Sequence, residues 1–277
     1  MGVKASRSFG RPDAGLLKVW QAPRAGEGAV IKRTPQCDEL IRHLATDGPM
    51  LISQAARRLT GNDKDPAGQR QVKRWLQVGW LEVCDWQAVG PSGVRVRQVV
   101  RLVGLGPGAI RQYGIRPRWG WDAMVVCRGV TTAQLLLRLP AECRWRPMQP
   151  QRPLVGRLDL DGRKAWVVVL RRSRDMQRQV DGMLADFTRS DVGAEDRVWI
   201  VVPSDEPEDQ GLATRLVREG DLAERALLTS DSALWDPDRP LHTGFSRWAA
   251  AGWQPVLLAN LREVEQRERE RVVGAVP

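Results

Sequence analysis

Tyrosine occurs once, histidine twice, phenylalanine three times and cysteine four times in 277 residues. The cysteines, at 37, 84, 127 and 143, include no CxxC pair. The closely spaced thiolates and imidazoles of a zinc site are therefore missing, and reduced, mostly buried thiols are expected. No apolar run approaches the roughly 20 residues that a bilayer-spanning helix needs. The opening stretch, MGVKASRSFGRPDAG, lacks the apolar centre of a signal peptide. These absences lead us to expect a cytoplasmic protein with no membrane partner. No GxSxG elbow and no GxxxxGKS/T phosphate loop occur, and the glycine-rich GLGPG at 104–108 does not satisfy a dinucleotide fingerprint. With His43 and His242 far apart, nothing supports a Cys–His or Ser–His–Asp arrangement. We therefore expect a non-enzyme, with no catalytic residue, metal or cofactor assigned.

The chain is rich in arginine, tryptophan and proline. Only six of its 43 basic residues are lysine, a bias that GC-rich coding produces, so part of the arginine excess reflects codon use. A hydrophobic content of 42% with 27% charge is that of a folded protein, long enough for two ordinary domains. The net charge of +10 is unevenly spread. Residues 1–153 hold 25 Lys and Arg against 11 Asp and Glu, whereas residues 154–277 hold 18 against 22. A basic half joined to a mildly acidic half suits a nucleic-acid module fused to something else.

Helix signals begin at Thr34-Pro35, an N-cap followed by proline at the first helical position. Cys37, Leu40, Ile41, Leu44 and Ala45 recur at helical spacing until Gly48-Pro49. Ser53 is expected to cap a second helix that turns Ala55, Ala56 and Leu59 inward and stops at Gly61. Asp65-Pro66 opens a third that buries Val72, Trp75 and Leu76 and ends near Gly79. Its outward face carries Gln69, Arg70, Lys73, Arg74 and Gln77. Two strand-like runs, WLEVCDWQAV and VRVRQVVRLV, then flank a turn at Gly90–Gly93. In the second run Arg95 and Arg97 alternate with valines, so they share one face. Three helices and a basic hairpin in this order predict a winged helix-turn-helix over 31–115. Its third helix would enter the major groove of double-stranded DNA, where Arg and Gln distinguish guanine and adenine edges. Arg95 and Arg97 would grip phosphates or the minor groove.

The stretch VVRLVGLGPGAIRQYGI at 99–115, following RWLQVGWLE, resembles the winged-helix region of plasmid replication-relaxation proteins of conjugative plasmids and integrative elements. That resemblance implies a winged helix followed by a smaller α/β domain, and a role in plasmid replication or relaxosome function. Antitoxins of the abortive-infection type, which also join a winged helix to an α/β domain, are similar at this level.

Residues 116–152, with several Trp–Arg pairs and a short helix around Thr132–Leu139, are expected to be a connector whose tryptophans plug a domain interface. From 153 to 258 the pattern is hairpin, helix, strand, helix, strand. The turn falls at Asp161-Gly162, the helix RDMQRQVDGMLADF buries Met176, Val180, Met183, Leu184 and Phe187, and RVWIVVPS reads as a central strand. This predicts a small α/β domain, and its order resembles a degenerate restriction-endonuclease-like fold. In active members of that fold an Asp on one strand and Glu-x-Lys on the next hold a divalent metal. Asp159 would fill the first place here, but Val169-Leu170-Arg171 stands in the second. That leaves a scaffold whose Arg171, Arg172 and Arg174 meet nucleic acid or a partner.

The expected protein is thus an α+β, two-domain, non-enzymatic DNA binder. Residues 1–30 are an N-terminal arm, and a charged helical tail over 259–277 docks through Leu257, Leu258, Leu261 and Val264. A protein partner or self-association is assigned to the α/β domain. Two alternatives stand beside it: a transcriptional autoregulator or antitoxin, and a metal-dependent nuclease that draws its second carboxylate from Glu142 or Asp175.

Overall fold

The computed structural model describes residues 16–20, 33–62, 65–89, 95–117, 119–140, 142–148, 151–160, 163–171, 176–190, 192–259, 261–263 and 265–267. At 16–20, 87–89, 95–99, 160 and 176 it describes the backbone alone. The fold is mixed α+β with two sheets, divided between two compact units. One unit comprises the described residues up to Leu137 with Met148–Gln151, and the other comprises Arg138–Pro147 and the residues from Arg152 onward.

In the first unit, α1 (Pro35–Thr46) starts where Thr34 accepts the Cys37 N–H at 3.2 Å, and it buries Cys37, Leu40, Ile41 and Leu44 completely. A two-residue strand β2 (Met50–Leu51) leads directly into α2 (Ile52–Thr60). This helix begins one residue ahead of Ser53 because the Gln54 side chain, not a serine hydroxyl, accepts the Leu51 N–H at 2.9 Å. It ends at Gly61, in the left-handed region at φ 79°. Next comes α3 (Pro66–Gln77), opened by Asp65, whose carboxylate accepts the Ala67 N–H at 2.7 Å. Strands β3 (Leu81–Val89) and β4 (Arg95–Leu105) pair antiparallel, and β2 closes on the far side of β4 through Met50↔Val103. The turn at Gly90–Gly93 lies outside the described residues. Within the segment expected as an arm, β1 (Leu16–Trp20) pairs with β3, giving the order β1-β3-β4-β2.

Beyond β4 come α4 (Pro107–Tyr113) and α5 (Ala123–Arg138). The expected short helix of the connector is thus 16 residues long. It buries an unbroken run from Val125 to Leu135, the pattern of a helix enclosed on every side. Gln54 ties α2 to it, donating to the Val130 carbonyl at 3.0 Å. The tryptophans ahead of α5 also pack inside this unit. Trp119 donates its indole N–H to the Leu44 carbonyl at 2.8 Å, and Trp121 donates to Glu82 at 3.0 Å. Burial pushes the Glu82 carboxyl above its ordinary pKa, with the Trp121 bond opposing the shift.

The second unit is built on seven strands. They are β5 (Arg144–Pro147), β6 (Leu154–Leu160), β7 (Arg163–Val169), β8 (Arg197–Val202), β9 (Ala226–Ser230), β10 (Phe245–Ala249) and β11 (Gly252–Val256). Their order across the sheet is β11-β10-β9-β8-β7-β6-β5, in numerical sequence from edge to edge. Only β7, β8 and β9 run parallel, joined by α6 (Met176–Arg189) and α7 (Pro207–Glu219). Burial on both faces explains the unbroken apolar run Val198–Val202 of the central strand. Against the sheet α6 buries Val180, Met183 and Phe187, with Leu184 half-buried. The Asp161-Gly162 turn falls outside the described residues, but Leu160 pairs with Arg163 across it. A short α8 (Asp231–Trp235) follows β9. Past β11, Leu261 is buried, as expected of a docking tail, whereas Leu257 is 63% exposed and does not dock.

Candidate nucleic-acid interface

The local sequence builds α3 as a helix with one committed face. Val72 and Trp75 are each 1% exposed, and the Trp75 ring meets Trp80 at 5.4 Å, which in turn meets Tyr113 edge-on at 5.6 Å. On the side toward α2, Gly68 is buried so closely that an added Cβ would lie 2.7 Å from the Ala56 carbonyl oxygen. The opposite face carries Gln69, Arg70, Lys73, Arg74 and Gln77, all exposed. Arg70, Lys73 and Arg74 form no ion pair among the described residues. The structure therefore brings together, on one exposed face, the five helix residues selected from the sequence. The side chains of Arg95 and Arg97 lie outside the described residues, although both positions belong to β4.

The packing behind this face explains the GLGPG stretch. The Gly106 N–H donates to the Trp80 carbonyl and the Gly108 N–H to the Gly79 carbonyl, each at 2.8 Å. A Cβ on Gly106 would stand 2.4 Å from the Gly79 oxygen. The glycines let the chain after β4 lie against the turn that ends α3, which is a packing role and not a phosphate cradle. At the start of α1, Tyr113 donates to Asp38 at 2.6 Å while Arg33 bonds the same carboxylate at 3.1 Å and lies over the Tyr113 ring. The Arg33 hydrogen bond, then that of Tyr113, holds the Asp38 carboxyl below the usual carboxylate range.

The two places that active restriction-endonuclease-like members would use for a metal do not meet here. Asp159 pairs with Lys164 near the hairpin end of β6 and β7, whereas Val169 closes β7 at its other end. Five residues of strand at about 3.3 Å each separate them. Arg171 is 0% exposed and bonded to Asp231 at 3.0 Å, so it faces no partner from outside; Arg172, Arg174 and Asp175 lie outside the described residues. Among the described residues no cluster of three His, Cys, Asp or Glu is placed to hold a metal ion. No helix among them is long and apolar enough to cross a membrane.

One pair went unread in the sequence. His242 Nδ1 meets Glu265 at 2.5 Å, and the other Glu265 oxygen accepts the Leu241 N–H at 3.0 Å. With Leu257, Arg262 and Gln266 they line a cavity of about 450 Å³. No hydroxyl or thiol among the described residues lines it, and the pair ties the C-terminal helical turns to the 3-10 turn Leu241–Thr243 that precedes β10. The only sequence signal was a histidine 23 residues ahead of a glutamate in a charged tail, too distant to suggest a pairing.

No family model, no curated protein and no solved structure matches this chain.

Proposed function

We propose that the first unit is a winged helix-turn-helix that binds double-stranded DNA, with α3 as the helix that enters the major groove. The observation that carries the reading is the exposed face of Gln69, Arg70, Lys73, Arg74 and Gln77, with no carboxylate among them, on a helix locked by Val72, Trp75 and Gly68. Supporting it are the element order α1-β2-α2-α3-β3-β4 and the pairing of β2 with β4, which together suit a winged helix. Guanidinium and amide groups at successive turns match the donor and acceptor pattern of the major groove, and the cations add salt-dependent affinity for phosphates. The second unit is read as a restriction-endonuclease-like scaffold for assembly or partner contact, because β6 runs opposite to β5 and β7 while β8 and β9 continue parallel to β7. Replication or transfer of a plasmid or other mobile element is the setting we assign, and hydrolysis of DNA is not part of the role.

Fluorescence anisotropy of the full chain on a random-sequence duplex, titrated from low to physiological salt, tests the reading. The protein should bind with strong salt dependence, and Arg70→Ala/Lys73→Ala should weaken binding about tenfold or more. Absence of binding at low salt, or binding that the double variant leaves intact, would overturn it.

A further inference from the structure

A second basic surface stands on the other unit, where Arg144 and Arg146 join cations of the 154–277 segment, itself acidic overall. The register of β5, β6 and β7 sets two rows across three neighbouring strands. Arg144, Asp159 and Lys164 form one row; Arg146, Arg157 and Trp166 form the other. Directly paired residues of an antiparallel ladder share a face, so four cations and one carboxylate lie together at the outer corner of the sheet. Arg144, Arg146 and Lys164 are exposed, and none of the three makes an ion pair among the described residues, even with Asp159.

The second row holds the informative detail. Arg146 and Arg157 stand directly opposite one another, with Cβ atoms about 5 Å apart. Like charges in that relation destabilise a sheet, and no carboxylate pairs with either. Arg157 is meanwhile laid against the Trp166 ring, 5.5 Å from its centroid, and its Nε has no acceptor among the described residues. Arg157 Nε is itself buried, so an external anion would meet the exposed Arg146 guanidinium and relieve the repulsion across the pair from there. The exposed cations follow the strands at the edge of the sheet, a spread that suits an extended polyanion better than a single small one.

We propose that this corner of the seven-stranded sheet is a second, sequence-independent contact for the phosphate backbone of nucleic acid. Its cations would add affinity and counterion release without reading bases. The inference stands apart from the role given to α3, since it uses different residues in a different unit.

The test uses four full-length proteins: wild type, Arg70→Ala/Lys73→Ala, Arg144→Ala/Arg146→Ala/Lys164→Ala, and the combination. Binding to a random duplex is measured across a salt series. The sheet variant should lower the slope of log affinity against log salt by about 2 to 3, since each phosphate contact contributes about 0.9. It should do so in both backgrounds, so failure of α3 as a reader leaves this result interpretable. A charge-matched control, Arg215→Ala/Arg247→Ala/Arg262→Ala, should change the slope by less. Asp159→Asn removes the carboxylate within the two rows, leaving Asp196 bonded to the Trp166 indole at 2.8 Å, and should raise affinity several-fold, an effect that misfolding cannot mimic. An unchanged slope in the sheet variant, an equal loss in the control, or no gain in Asp159→Asn would each overturn the proposal.

Discussion

Arg171 and Asp231 meet at 3.0 Å across the ends of β7 and β9, with 0% and 3% of their side chains exposed. The strand between them, β8, has just ended, so the pair bridges two parallel strands that do not touch. Arg171 also donates to its neighbour's carbonyl, Leu170, at 2.8 Å, and its backbone oxygen accepts from Gln179 on α6. Its guanidinium is a buried structural strut, which removes it from the set of residues able to greet a ligand.

Removing one member of such a pair strands a charge in an apolar interior. Asp231→Ala should cost about 3–5 kcal/mol of stability, whereas replacing both members with well-packed apolar residues should cost far less. Urea unfolding of Asp231→Ala and of Arg171→Met/Asp231→Leu separates the two; equal losses would show that packing, not charge, dominates there.

Gly68 sets the approach of α2 to α3. Adding a single methyl 2.7 Å from the Ala56 carbonyl oxygen forces the helices apart, with an expected loss of about 1–3 kcal/mol. Gly68→Ala should lower the melting temperature of the protein and weaken duplex binding together. Loss of binding without a stability change would instead place Gly68 at the DNA.

His43 is 4% exposed and donates or accepts at 2.8 Å with Asp47, the residue that caps the C-terminal end of α1. Burial, the largest cause, holds its pKa below the usual 6.5 despite the attraction of Asp47. The unfolded chain therefore binds a proton more readily than the folded one. The stability contributed by neutral His43 is present above about pH 6.5 and is lost as the pH falls toward the lowered folded value. Denaturant midpoints measured between pH 7.5 and 5 should fall in wild type and fall less in His43→Gln. Parallel curves would remove His43 from the acid response.

The two sets of basic residues in the first unit should differ in kind. Arg95→Ala/Arg97→Ala should flatten the salt dependence of duplex binding and leave sequence preference intact. Substitutions at Arg70 or Gln69 should relax the preference, by about 1–3 kcal/mol where a base edge is contacted. Selection of bound sequences from a random pool, run on each variant, distinguishes them, and the reverse outcome would exchange the roles of helix and wing.

Thiol chemistry offers a probe of the fold that needs no ligand. Cys37, Cys84 and Cys127 are buried and Cys143 is half-exposed, and none of the four is in a disulfide. Burial, reinforced by Asp85 and Glu82, pushes the Cys84 thiol up to about 12, far from the thiolate that alkylating reagents attack. Iodoacetamide on the native protein should mark Cys143 first, with the other three reacting only after denaturant is added. Early labelling of Cys84 would contradict the packing of β3.

Helices α1 and α3 were legible because cap and periodicity agree at each, and α2 was legible from its periodicity and its stop. Thr34-Pro35, Asp65-Pro66 and Gly61 mark their ends, and the apolar spacing between them is helical. The strands β5, β10 and β11 were not legible. RWRP and FSRWA set arginine beside tryptophan, and RWRP and GWQPV each carry a proline, so their sheet character comes from partners such as the Trp248–Trp253 contact at 5.3 Å. The length of α5 was hidden by its Val and Thr content and by Gly129, residues that disfavour helix until burial decides. The separation of Asp159 from Val169 had a readable cause. A two-residue turn at 161–162 pairs Leu160 with Arg163, which already sets Asp159 beside Lys164 and away from position 169.

Both outermost strands of the larger sheet, β5 and β11, contain a proline, Pro147 in one and Pro255 in the other. Proline has no N–H, so each border has a break in the row of donors that an incoming strand would need. Arg144 and Arg146 precede the break in β5. A sheet with seven strands and two open borders is ordinarily a template for fibre growth, and here each border has a residue that discourages it. The same features that made these strands hard to read guard the protein against polymerising through them.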